Sequence, residues 1–169
     1  MKNKFLGATA LAAAVLFAAP ALAADSEPMT STALLLKPLT LTHLSDLSFG
    51  SIIPSGSGDL VTIDADDGSR SSDTAELITT DAGFRARFGS SGVNTENVFL
   101  ELSPEADLVN ADGDLLELTR LDLDSAGALR VLTPESQVFF VGIGGQVFVR
   151  SDQEEGTYTG TFTLTASYF

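Results

Sequence analysis

The chain of 169 residues contains no cysteine and no tryptophan, a single histidine, and nine lysines and arginines against 23 aspartates and glutamates. Without cysteine there is no disulfide, no thiol nucleophile and no zinc site built on sulfur, so the fold rests on its apolar core. A serine-nucleophile triad would have to use His43, and no Gly-x-Ser-x-Gly elbow supports one. The shortage of basic side chains opposes binding to nucleic-acid phosphates and anionic lipid headgroups. Long apolar runs are also scarce. The one that exists, Phe5 to Phe17, is shorter than the roughly 20 residues a spanning helix needs, and no later stretch of the mature chain is apolar enough for a transmembrane segment.

That run has a specific setting. Met1-Lys2-Asn3-Lys4 supplies a positive start, and Ala21-Leu22-Ala23 supplies small residues at the positions read by signal peptidase. The expectation is a secretory signal peptide over 1–23, cleaved between Ala23 and Ala24, and export by the general secretion pathway to the periplasm, cell surface or exterior. Removing it leaves 146 residues. Lys2 and Lys4 go with it, so seven basic residues face 23 acidic ones, a formal charge of −16. That length suits one core. Residues 24–32 are polar and read as a flexible segment, with a single domain over 33–169.

Within that domain the pattern is β throughout. From Thr157 to Phe169 the chain alternates: Tyr158, Phe162, Leu164, Ala166 and Tyr168 share one parity, and threonines and Ser167 hold the other. Period two predicts a strand, which over this length would reach ~40 Å. Earlier, Ala33 to Thr42 is interrupted by Pro38, which confines it to an edge or breaks it. Phe84, Ala86 and Phe88 are expected inward with Arg85 and Arg87 outward. Asn97 to Leu102 resembles a strand buried on both faces, and Leu115 to Leu123 fits neither helix nor strand cleanly. Asp112-Gly113-Asp114 reads as a hairpin turn. Val138 to Val141 and Val147 to Val149 read as two strands, with Gly142, Gly144 and Gly145 marking a bend between them. With no long amphipathic helix, roughly eight to ten short strands separated by turn residues predict an all-β antiparallel sandwich. An outer-membrane barrel would need longer alternating strands.

Three stretches carry a resemblance: Pro38-Leu39-Thr40-Leu41 with Asp46-Leu47-Ser48-Phe49-Gly50, Ala82-Gly83-Phe84-Arg85-Ala86, and the closing run from Val141 through Val149 and Gly156 to Tyr168. They resemble a family of secreted bacterial domains, domain-of-unknown-function family 4402. More distantly, the closing Gly-x-Tyr-x-x-x-Phe strand looks like that of spore-coat protein U and of chaperone–usher pilins. The wider resemblance implies an immunoglobulin-like, pilin-like sandwich lacking its last strand, self-assembly by strand donation, and a periplasmic chaperone and outer-membrane usher as partners. This chain departs from pilins in lacking cysteine and in having few large apolar residues between Asp25 and Thr32.

Three functional readings therefore stand, the last of them a secreted hydrolase that would use a pair of carboxylates. The first is a non-enzymatic structural subunit of a pilus-like or coat-like assembly, joined by β-strand complementation at Tyr158, Phe162, Leu164, Ala166, Tyr168 and Phe169. Leu34, Leu36, Leu39 and Leu41 would be either the donor or the domain's own first strand. The second is a monomeric periplasmic or surface binding module. No cofactor is expected. The oxygen-rich turns holding Asp64, Asp66 and Asp67, and Asp112 and Asp114, are weak calcium candidates that complete no EF-hand loop, and solvated acidic turns are the simpler reading. His43 reads as a surface residue.

Overall fold

The computed structural model describes residues 30–35, 37–93, 96–104, 106–133 and 137–169. Residues 1–23, with the cleavage pair Ala23 and Ala24, lie outside them, as does Leu36. The β unit is Leu35–Phe169, and among the described residues its regular elements are all strands: β1 (Thr40–Ser45), β2 (Ile52–Ile53), β3 (Asp59–Ile63), β4 (Arg70–Ser71), β5 (Glu76–Leu77), β6 (Ala86–Ser91), β7 (Asn97–Leu102), β8 (Leu108–Val109), β9 (Leu115–Leu123), β10 (Leu129–Val131), β11 (Val138–Val149) and β12 (Leu164–Tyr168). The ambiguous leucine-rich segment is thus strand β9. Its turn from β8 is closed by Asn110, whose side-chain oxygen accepts the N–H groups of Asp112 and Asp114.

All pairings are antiparallel. The larger sheet runs β1-β6-β11-β3-β4, with β9 also on β11 and β8 on β9, and the smaller runs β10-β7-β12. One buried cluster draws Ala86, Leu121, Val141 and Ile143 from the larger sheet and Val98, Leu100 and Leu164 from the smaller, together with Leu132 just past β10. Side chains from two sheets meeting in one core make a sandwich. A second cluster, Val61, Ala75, Leu116, Val147 and Val149, extends the core under β3 and β9.

The expected bend at Gly142, Gly144 and Gly145 is absent: β11 runs unbroken for twelve residues. It pairs with β6 along Val138–Ile143, with β3 along Gly145–Val149, and with β9 along Ile143–Phe148. The glycines serve close approach instead. A Cβ at Gly144 would strike the Ile63 carbonyl oxygen and lie 2.7 Å from the Ala65 nitrogen. Without disulfides, a buried ion pair ties the sheets: Arg130 donates to Asp124 at 2.5 Å, and the other Asp124 oxygen accepts the Gly142 N–H at 2.8 Å.

Two facing expectations are corrected. Phe84 is exposed rather than inward, because it precedes β6 and is held only by a bridge to Ser48. Asn97 to Leu102 is buried on one face: Val98 and Leu100 are inside, but Phe99 is 45% exposed on the outer face of the smaller sheet, where its ring neighbour is the exposed Phe169.

Candidate functional site

The closing segment differs most from expectation. Only Leu164–Tyr168 is regular strand, and it pairs with β7. Upstream, Thr159 makes a bridge to Val109 at the end of β8, with N–H to carbonyl bonds of 2.9 and 3.0 Å. The segment therefore changes sheets between Thr159 and Leu164, and one straight strand of twelve residues does not form. The parity survives the crossing. Leu164 is buried, and Tyr158, Phe162, Ala166 and Tyr168 are half-buried, while the intervening threonines are exposed.

β12 is an edge strand. Ser103 N–H donates to Thr163 O at 2.8 Å and Phe169 N–H donates to Asn97 O at 3.3 Å. In an antiparallel ladder, bonded pairs recur at every second residue. Thr163, Thr165, Ser167 and Phe169 therefore turn their main chain toward β7, and Leu164, Ala166 and Tyr168 turn theirs away. Among the described residues no backbone group pairs with those three on the far side. The first strand does not fill this position, because β1 pairs with β6. Leu41 lies in β1, and Leu39 packs against the same core. Leu34 is 78% exposed.

A cleft with a largely apolar floor runs along the closing segment upstream of β12, from Phe162 back to Thr157. Near Phe162 it has a volume of about 420 Å³ and touches His43, Ala86 and Phe88. Near Tyr158 it widens into about 470 Å³ against Phe49, Ile52 and Val149. Leu47 and Leu108 line both parts and the small space between them, so the floor is continuous. Tyrosines fasten the two ends of the closing segment. Tyr168 Oη accepts the Val93 N–H at 2.8 Å and donates to Lys37 O at 3.2 Å, and Tyr158 Oη donates to Glu154 O at 2.7 Å. Phe169 is exposed on the outer face, its ring edge-on to Phe99 at 6.3 Å.

The other two sequence motifs form one structural knot beside this cleft. Ser48 and Phe84 exchange N–H to carbonyl bonds of 2.8 Å in both directions. Gly50 and Gly83 sit there at φ of 66° and 73°, and a Cβ on Gly83 would come within 2.5 Å of Ser48 O. Only glycine fits such a crossing. The Arg70 guanidinium locks the knot, donating to Phe49 O, Ser51 O and Ile78 O.

Hydrogen bonds tie down most of the acidic turns. Asp64 accepts the N–H groups of Asp66 and Asp67, Asp66 accepts that of Ser125, and Asp67 that of Ser69. Those backbone donors hold the Asp66 and Asp67 carboxyls below the usual range. Asp114 accepts from the Asn110 amide, and Asp112 has its own N–H bound to Asn110. Among the described residues no three histidine, aspartate or glutamate side chains are grouped to hold a metal ion. His43 pairs with exposed Asp46 at 3.0 Å and stands edge-on to Phe88. Sequence reasoning missed Leu47 and Leu108 as the cleft floor, since only the tertiary fold brings them to the closing segment.

An antiparallel all-β sandwich whose C-terminal edge strand has no partner on one flank among the described residues, with a cleft along the segment that leads into that strand, is the class these features define. The chain belongs to the domain-of-unknown-function family DUF4402, whose model matches residues 39–168. That span contains the Ser48/Phe84 knot and ends on the edge strand. No curated protein and no solved structure matches the chain.

Proposed function

We propose that this protein is an exported, non-enzymatic structural subunit of a bacterial surface assembly, and that its sandwich is completed by a strand from another molecule. The observation that carries this is the outward-turned main chain of Leu164, Ala166 and Tyr168 at the edge of the smaller sheet. An unpaired edge over an apolar core exposes both hydrogen-bonding groups and hydrocarbon, and an added strand satisfies both. The half-buried state of Phe162, Ala166 and Tyr168 supports the same reading, because core side chains of a closed sandwich are covered more fully. A periplasmic chaperone would occupy the edge during export, and an usher would exchange it for a neighbouring subunit.

The test is to produce the 24–169 chain in the periplasm and run it on SDS gels unheated and boiled. Complexes with a strand-donating protein of the same bacterium, surviving SDS and dissociating on boiling, are expected. A monodisperse monomer whose Leu164, Ala166 and Tyr168 amides are strongly protected from hydrogen exchange would end the proposal.

The second reading, a monomeric binding module, draws on the cleft itself, whose two parts match the size of small-ligand sites. It predicts saturable binding by a monomer whose edge amides stay unprotected.

A further inference from the structure

The cleft is apolar in its floor but one-signed at its rim. Asp46, Asp81, Glu154 and Glu155 line it, and among the described residues no lysine or arginine does. Asp46 is paired with His43. Asp81 accepts the Ser51 hydroxyl at 2.7 Å, and neither it nor Glu154 or Glu155 has an ion-pair partner among the described residues. Arg70 stands behind Gly50, and its guanidinium is taken up by three backbone carbonyls. The wide end of the cleft therefore has the Arg70 charge on its Asp81 side, and at Glu154 and Glu155 two carboxylates without an ion-pair partner among the described residues.

That asymmetry selects the donor. Resting on the strand-accepting reading above, we propose that the cleft takes an extended segment of a different protein, alternating apolar side chains and flanked by lysine or arginine, rather than a segment of a second copy. The apolar residues lie over Leu47 and Leu108, the main chain pairs with the edge, and the basic flank meets Glu154 and Glu155. A second copy is a poor match in charge. It carries 23 acidic residues, and its stretch ahead of β1 brings Asp25 and Glu27 with Lys37 alone to offset them. Like charges at an interface are discriminated against, while opposite ones steer and select.

The experiment uses three synthetic peptides of about a dozen residues, binding to the 24–169 protein followed by fluorescence anisotropy at low and high salt. Two alternate valine with threonine, one with lysines at both ends and the other with glutamates. The third copies residues 25–36. The lysine-flanked peptide is expected to bind roughly tenfold tighter than the other two at low salt, with the gap narrowing as salt screens the exposed pairs. In the Glu154→Gln, Glu155→Gln double variant its advantage should shrink severalfold. Equal binding by the lysine- and glutamate-flanked peptides would overturn the charge selection and leave strand acceptance standing. Tightest binding by the 25–36 peptide would overturn the choice of a foreign donor. No binding by any peptide would remove both the selection and the strand-accepting reading.

Discussion

β11 and the closing segment from Thr157 to Phe169 are similar in length and share an alternating character, yet they end in opposite situations. β11 has strands on both flanks, glycines that let β3 press against it, and an inner row that includes Val141, Ile143, Val147 and Val149 at 3% exposure or less. The closing segment touches one sheet at Thr159 and the other from Leu164 onward, with one flank of β12 unpaired among the described residues. Alternation assigns faces; neighbours assign stability. The molecule places its rigidity in β11 and leaves its capacity for new pairing in β12.

Substitutions in the two regions should differ accordingly. Asp124→Ala removes the acceptor of both the Gly142 N–H and the buried Arg130 guanidinium. Leaving that charge unpaired should cost about 3–5 kcal/mol in urea unfolding. Gly144→Ala drives a methyl into the backbone of Ile63 and Ala65, neither of which is a flexible side-chain end, so a loss of about 3 kcal/mol is expected. Gly160→Ala in the closing segment finds its nearest neighbour at 3.4 Å, on the Leu108 side chain, and should cost under about 1 kcal/mol. Equal losses at 144 and 160 would dissolve the contrast between the regions.

The contrast was only half visible in the sequence. Inward parity at Tyr158, Phe162, Leu164, Ala166 and Tyr168 was legible because period two is local, and so was the β8–β9 turn, because Asn110 and Gly113 act locally. The sheet change near Thr159 was not, since it is set by Val109, 50 residues earlier in the chain. The run Gly142, Gly144 and Gly145 read as a bend because glycine in a strand has two meanings, and which one applies depends on whether another backbone arrives. Ile63 supplies it. The candidate site shows the same division: its edge residues could be named in advance, while Leu47, Leu108 and the acids of the rim could not.

A pair of prolines sharpens the assignment of the open flank. Thr165 turns its N–H toward β7, so Thr165→Pro breaks a ladder bond and should cost about 3 kcal/mol. Ala166 turns its N–H outward, so Ala166→Pro should leave the isolated subunit within about 1 kcal/mol of the parent. The same Ala166→Pro change should abolish SDS-resistant complexes with the donor, or peptide binding, because it removes a donor at the pairing edge. If both prolines unfold the subunit equally, the ladder phase inferred for β12 is wrong.

Acid should act on the β3 half before the closing segment. Asp59, at the head of β3, accepts the N–H groups of Thr74 and Ala75 at 2.6 and 2.7 Å and that of Leu60 at 2.8 Å, and these donors pull its carboxyl from 3.8 down to about 2. A carboxylate with a lower value in the folded state stabilises above its unfolded value, and that contribution fades as pH falls from about 4 through about 2. Hydrogen exchange at Ala75 and along β3 should therefore quicken across that window, while the β7–β12 ladder, which pairs through backbone groups alone, changes little. Asp59→Asn should flatten the acid response of β3 and leave β12 as it was. An unaltered acid profile in that variant would mean that the carboxylate does not hold the 72–75 turn, and the smallest of these expected differences between the two halves would disappear.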